Sequence, residues 1–254
     1  MRTDNIIGII SGMGPHAGLD LARKIIEETA GVERDQDHVP VALLSYPGRI
    51  PDRSTWLYDR SQPSPIPPLL DVTRRLDDAG AVVAGMPCNT AHTPTIFNAL
   101  TEGLRESGHA VRIVHMIRAT ARHLDERPAG LQRIGVLATK ALHEAGLYRN
   151  ELADAGFEPV TPDQDVIDEV VNPVIFDPAF GIKAHSNPVT DKARRYLVDA
   201  IEHLCSKEAD AVILGCTELP LAVPEANLFG MPLVDPTRIL ARALIRETHP
   251  DALR

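Results

Sequence analysis

Apolar residues along this chain fall into two rhythms. Short apolar runs rich in β-branched residues occur at 6–10, 39–45, 81–85, 111–114, 133–138, 211–214 and 232–234. Between them lie longer stretches with apolar positions every three or four residues: 16–29, 68–78, 93–106, 117–126, 142–155, 192–207 and 236–247. Strands that are apolar on both faces belong inside a parallel sheet, and the intervening segments have the period of amphipathic helices that cover it. The alternation predicts an α/β fold of mainly parallel sheet flanked by helices.

The pattern also repeats. Ile7-Gly8-Ile9-Ile10 matches Ile134-Gly135-Val136-Leu137, and the run ending Val83-Ala84-Gly85 before Cys88-Asn89-Thr90 matches Ile213-Leu214-Gly215 before Cys216-Thr217-Glu218. Gly8 precedes Cys88 by 80 residues and Gly135 precedes Cys216 by 81. A third pair, 111–123 against 232–244, is again a strand followed by a helix. Two similar domains are therefore expected, 1–117 plus 237–254 with Cys88, and 118–236 with Cys216. Two proline-punctuated segments interrupt the rhythm: 46–68, which carries Arg49, Arg53 and Arg60, and 159–188, which carries Lys183. Long irregular segments inside compact domains tend to be functional.

Composition narrows the class. Hydrophobic residues at 44% and charged residues at 24% suit a soluble globular protein, not a disordered one. No apolar run approaches the roughly 20 residues of a membrane span. The run at 6–10 leads straight into Gly12-Met13-Gly14-Pro15, so it reads as a strand and turn, not as the core of a signal peptide. A net charge of −9 makes nucleic acid and anionic membranes poor partners for the chain as a whole. Three widely spaced cysteines, 88, 205 and 216, form no disulfide framework and suggest free thiols in the cytoplasm.

Cys88 and Cys216 then become the candidate chemistry. Each follows an apolar strand and precedes an expected helix start, where ligands gather in parallel sheets. Exposed N–H groups there would bind a carboxylate and lower a thiol pKa. Two such thiols suit a racemisation in which one removes an α-proton and the other returns a proton to the opposite face. Cys205 lacks a repeat partner and reads as structural. His92, four residues after Cys88, suggests packing or support more than metal ligation, since no further ligands stand near. Gly12, Gly14 and Gly18 depart from a dinucleotide-binding fingerprint and are expected to let the backbone approach a substrate.

Taken with the motifs at 8–15, 50–54, 87–92, 181–184 and 215–220, the chain resembles the aspartate/glutamate racemase family, and its cofactor-independent aspartate racemase branch in particular. The resemblance covers about residues 6–245. It implies two α/β domains with the active site in the cleft between them, catalysis by Cys88 and Cys216, and no cofactor or metal. It further implies that Asn89, Thr90, Thr217 and nearby backbone amides hold the α-carboxylate, and that Arg53 and Lys183 recognise a side-chain carboxylate. Met13 and Glu218 join the substrate-binding set. A homodimer is the family expectation. Ser11, Ser54 and His185 depart from the usual pattern, and His185, so close to Lys183, is expected to narrow the pocket or alter substrate choice. The substrate expected first is aspartate. Glutamate or another amino acid, a cysteine-dependent isomerisation or decarboxylation, and a non-catalytic carboxylate-binding protein remain as alternatives.

Overall fold

The computed structural model describes residues 5–126 and 130–254. Its first half runs β1 (Ile6–Ser11), α1 (Pro15–Glu28), β2 (Val41–Ser45), α2 (Arg53–Tyr58), α3 (Ile66–Asp78), β3 (Ala81–Gly85), α4 (Pro94–Glu106), β4 (Arg112–Val114) and α5 (Met116–Asp125). There follow β5 (Arg133–Leu137), α6 (Lys140–Glu144), α7 (Leu147–Asp154), β6 (Glu158–Val160), α8 (Gln164–Val166), α9 (Asn172–Phe176) and α10 (Asp191–Ser206). The chain ends with β7 (Ala211–Leu214), α11 (Leu219–Ala222), β8 (Asn227–Leu228), β9 (Met231–Val234) and α12 (Pro236–Thr248). Two compact units result: Met1–Ala119 with Thr237–Arg254, and Thr120–Pro236.

In the first unit the sheet order is β2-β1-β3-β4, all parallel. β1 shows why its sequence is almost wholly apolar. Ile7 and Ile9 pack with Leu21 and Ile25 of α1 and with Leu240 and Leu244 of α12, while Ile10 points the other way into Leu69, Val72 and Leu76 of α3. Each fully buried aliphatic side chain of this kind contributes about 1.5–3 kcal/mol.

The second unit orders its sheet β6-β5-β7-β9-β8, parallel except for the β8–β9 pair. Its core sets Leu137, Val212 and Leu214 against Leu197, Ile201 and Leu204 of α10 and against Val171, Val174 and Ile175. Four consecutive positions of the two sheets correspond: β2-β1-β3-β4 and β6-β5-β7-β9. Three of those pairings coincide with the sequence repeat, and β2 with β6 adds a fourth. In each sheet the chain leaves the central strand to one side and crosses back to the other, so the switch points lie between β1 and β3 and between β5 and β7. Ligands bind beyond the carboxyl ends of strands at such points.

Some segments differ from expectation. The helix expected over 142–155 is two helices, α6 and α7, because Gly146 takes φ +64 between them. The segment 159–188 is not wholly irregular. It begins in β6 and continues as a helical run over 164–176, widened to a π turn in which the Asn172 N–H bonds to Ile167 O. Pro173 follows that turn, and its lack of an N–H disfavours an ordinary α-helical continuation. Among the described residues no helix is long and apolar enough to cross a membrane.

Candidate active site

In the first unit, the turn after β1, the start of α2 and the segment after β3 converge at the carboxyl ends of the strands. Gly12 begins this arrangement with φ +111, and a side chain there would strike the Tyr46 and Pro47 backbone at about 3.0 Å. A Cβ on Gly18 would fall 2.0 Å from Ser11 Oγ. These two glycines answer to internal packing, a different reason from the close substrate approach expected of them. Asp52 caps α2 by accepting the Thr55 N–H at 2.8 Å, which fixes Arg53 at the first helical position. The Arg53 guanidinium donates to Met13 O at 3.1 Å and to Pro51 O at 3.2 Å, and the residue is 7% exposed. Met13, Ile50, Trp56 and Cys88 share one buried cluster.

Cys88 lies three residues beyond β3 in extended conformation, its N–H bonded to Met86 O at 2.8 Å. The segment after it, Asn89–His92, is one buried 3-10 turn, and α4 starts only at Pro94. The expected helix start is therefore a single turn, whose dipole is small beside that of a full helix. His92 is completely buried. Its ring Nε2 lies 3.0 Å from Met86 O, and it packs on Phe97 and His115 at 5.3 and 4.8 Å between centroids. Burial, assisted by His115, pushes its pKa down to about 3, so the imidazole is neutral and donates Nε2–H to Met86. That bond ties together the two ends of the loop carrying Cys88.

The second unit assembles its own set. Gly181 packs so tightly that a Cβ would fall 2.6 Å from Asp177 N and 2.9 Å from Pro173 O. The backbone then runs along the end of α9, with Ile182 N–H bonded to Val174 O at 2.8 Å and Lys183 N–H to Ile175 O at 3.1 Å. This holds Lys183 so that its ammonium pairs with Glu218. Cys216, two residues beyond β7, donates its S–H to Glu218 Oε2 at 3.0 Å, and the Thr217 hydroxyl donates to the same oxygen at 3.3 Å. Burial and then the Glu218 carboxylate push the Cys216 thiol well above the usual cysteine range, with Lys183 and the Glu218 N–H offsetting part of this. The thiol depression expected from a helix start is thus reversed here. Glu218 itself is held below the ordinary carboxylate range: its burial opposes this, and Lys183 together with the Cys216 and Lys183 hydrogen bonds outweighs burial.

The structure thus gathers Met13, Arg53, Cys88, Asn89 and Thr90 within one unit, and Lys183, Cys216, Thr217 and Glu218 within the other. His185 has its Nε2 3.1 Å from Pro178 O, tied to the preceding turn. Cys205 lies apart from the second set, its Sγ 3.8 Å from Met231 Sδ. The reach of Lys183 to Glu218 was not visible in the sequence, where 35 positions separate them.

Residues 10–244 match the Asp/Glu/Hydantoin racemase family. The chain belongs to that family. Its family makes it a racemase. The racemase is 31% identical to the solved Picrophilus torridus aspartate racemase, covering 96% of this chain and 94% of that one with a TM-score of 0.77. It is 27% identical to a glutamate racemase of Synechococcus sp. (strain CC9605), over 95% of this chain and 79% of that protein. A broad specificity amino-acid racemase of Bacillus subtilis (strain 168), RacX, shares 24% identity over 94% of this chain and 96% of its own length.

Proposed function

We propose that this racemase interconverts L- and D-aspartate without a cofactor, with Cys88 and Cys216 as the two acid/bases. The observation that carries the reading is the position of the thiols. Each stands just past the carboxyl end of the strand at its sheet's switch point, at equivalent places in the duplicated topology. The reading requires the two thiols to act on one α-carbon from opposite sides. In either direction one sulfur takes the α-proton and the other delivers a proton, so the roles reverse for the other enantiomer. The intermediate carbanion needs stabilisation through the α-carboxylate, and the leading N–H groups at Asn89, Thr90 and Thr217 are the donors assigned to it.

Arg53 and Lys183 provide a planar cation and a point-charge cation for a second carboxylate, which favours an acidic amino acid. Aspartate ranks before glutamate because the Picrophilus aspartate racemase shares 31% identity across nearly the whole chain. Glutamate stands second, favoured by the similarity to the Synechococcus enzyme.

The test is incubation of the purified protein with single enantiomers of aspartate, glutamate and neutral amino acids in deuterated water. α-Deuterium and the opposite enantiomer should appear fastest with aspartate, and Cys88→Ala or Cys216→Ala should abolish inversion. Absence of exchange and inversion across the panel would overturn the racemase assignment, and full activity of either variant would overturn the two-base scheme.

A further inference from the structure

Three groups of the second unit form a chain of charge: the Cys216 thiol, the Glu218 carboxylate and the Lys183 ammonium. Cys216 S–H is donated to Oε2 of Glu218 at 3.0 Å, and Lys183 pairs with Oε1, so both carboxylate oxygens are engaged. Glu218 is 6% exposed, and a carboxylate at that depth stays ionised only with a cation or hydrogen-bond donors to offset its burial. Lys183, on the more exposed loop after α9, is that cation. The Glu218 oxygens accept from Cys216, Thr217 and Lys183.

An ionised carboxylate that accepts an S–H bond favours the thiol over the thiolate, because losing that proton would leave two anions in contact. Among the described residues Tyr148 also faces Cys216: its ring lies against Gly215, and its phenol is kept neutral chiefly by burial, with Asp235 adding to the effect. We propose that Glu218, held ionised by Lys183, is a positioning residue that keeps Cys216 protonated before substrate binds, so that Cys216 starts as the proton donor toward one enantiomer and serves as base toward the other only from its thiolate form. The inference rests on the racemase reading given above. In the step it implies, the α-proton passes to Cys88 and the electron pair stays on the substrate. The Cys216 proton then bonds to the opposite face of that carbon and leaves a thiolate. Movement of a proton from Cys88 to Cys216 through solvent restores the starting form. Since the racemisation equilibrium constant is unity, kcat/KM must be equal for the two enantiomers at every pH. The inequality of the thiols is therefore sought in the thiols themselves.

The experiment titrates Cys216 by thiolate ultraviolet absorbance in the full chain carrying Cys88→Ala and Cys205→Ala, where it is the sole thiol. Its midpoint should lie above that of free cysteine, and adding Glu218→Gln should lower it by about one unit, a tenfold rise in thiolate at a given pH. Glu218→Asp, whose carboxylate is shorter by one methylene, should fall between the two and serves if the glutamine variant does not fold. A second readout uses Cys88→Ala alone, where Cys216 acts as a single base. Glu218→Gln should extend α-deuterium exchange of one aspartate enantiomer to lower pH. An unchanged or raised midpoint in both Glu218 variants would overturn the proposal. Failure of the racemase reading would look different: no exchange in the unsubstituted protein, whatever the titration shows.

Discussion

At the scale of single residues, Arg53 carries two duties that pull on the same guanidinium. Two of its N–H groups hold the carbonyls of Met13 and Pro51, fixing the turn after β1 against the start of α2. The proposed duty toward a substrate carboxylate comes in addition. Replacing it with leucine leaves both carbonyls without that donor, at a cost of about 1–3 kcal/mol for each one kept from water. Arg53→Leu should therefore lower Tm and also raise KM for aspartate at least tenfold more than for a neutral amino acid. Thermal unfolding and parallel kinetics separate the effects. Equal loss on acidic and neutral substrates would leave Arg53 with the structural duty alone.

At the scale of elements, the placement of Lys183 shows how a loop is built for one side chain. Gly181 lets the backbone pass against the end of α9, and two N–H···O bonds then hold the residues that follow. Gly181→Ala would push a methyl into backbone atoms that cannot rotate aside. Overpacking of this kind costs about 1–3 kcal/mol, and here it would also displace Lys183 from Glu218. Urea unfolding should show the loss, and kcat/KM for aspartate should fall more than tenfold. Near-native activity would mean that Lys183 needs no such placement. The same loop marks the limit of what the sequence shows. Strands β1, β3, β5 and β7 were legible because both of their faces are apolar, and the repeated Cys88 and Cys216 were legible because they follow those strands. The edge strand β6 was not: Glu158-Pro159-Val160 lacks an apolar pattern, and proline is tolerated there because the strand is at the edge. Contacts such as Cys216–Glu218–Lys183 depend on chain segments brought together by folding, which no local period encodes.

At the scale of the whole molecule, a described histidine in each unit, His92 and His143, is held neutral by burial, and this contributes to the response to acid. His92 in the first unit is held down to about 3, chiefly by burial, and His143 in the second to about 4 by burial. No described residue bonds to His143 Nε2. In the unfolded chain both imidazoles bind protons near their ordinary pKa of about 6.5. Below that value the unfolded state holds more protons than the native state, so stability falls as pH falls, and it is fully retained above it. Each histidine contributes a slope of about 1.4 kcal/mol per pH unit once its unfolded form is charged. For His92 the slope continues to about pH 3, and for His143 it ends near 4. Buried carboxylates held low by cations, Glu28 and Glu218 among them, add their loss only at still lower pH than the onset of the histidine effect. Urea unfolding measured from neutral pH down to about 5 should therefore show a two-proton slope where the units unfold together. Where they unfold in separate transitions, it should show one proton in each. Imidazole proton resonances of His92 and His143 should keep their neutral positions over that range. Stability that stays flat from neutral pH to 5, or resonances of these two that titrate near 6.5, would show that the rings take up protons without unfolding.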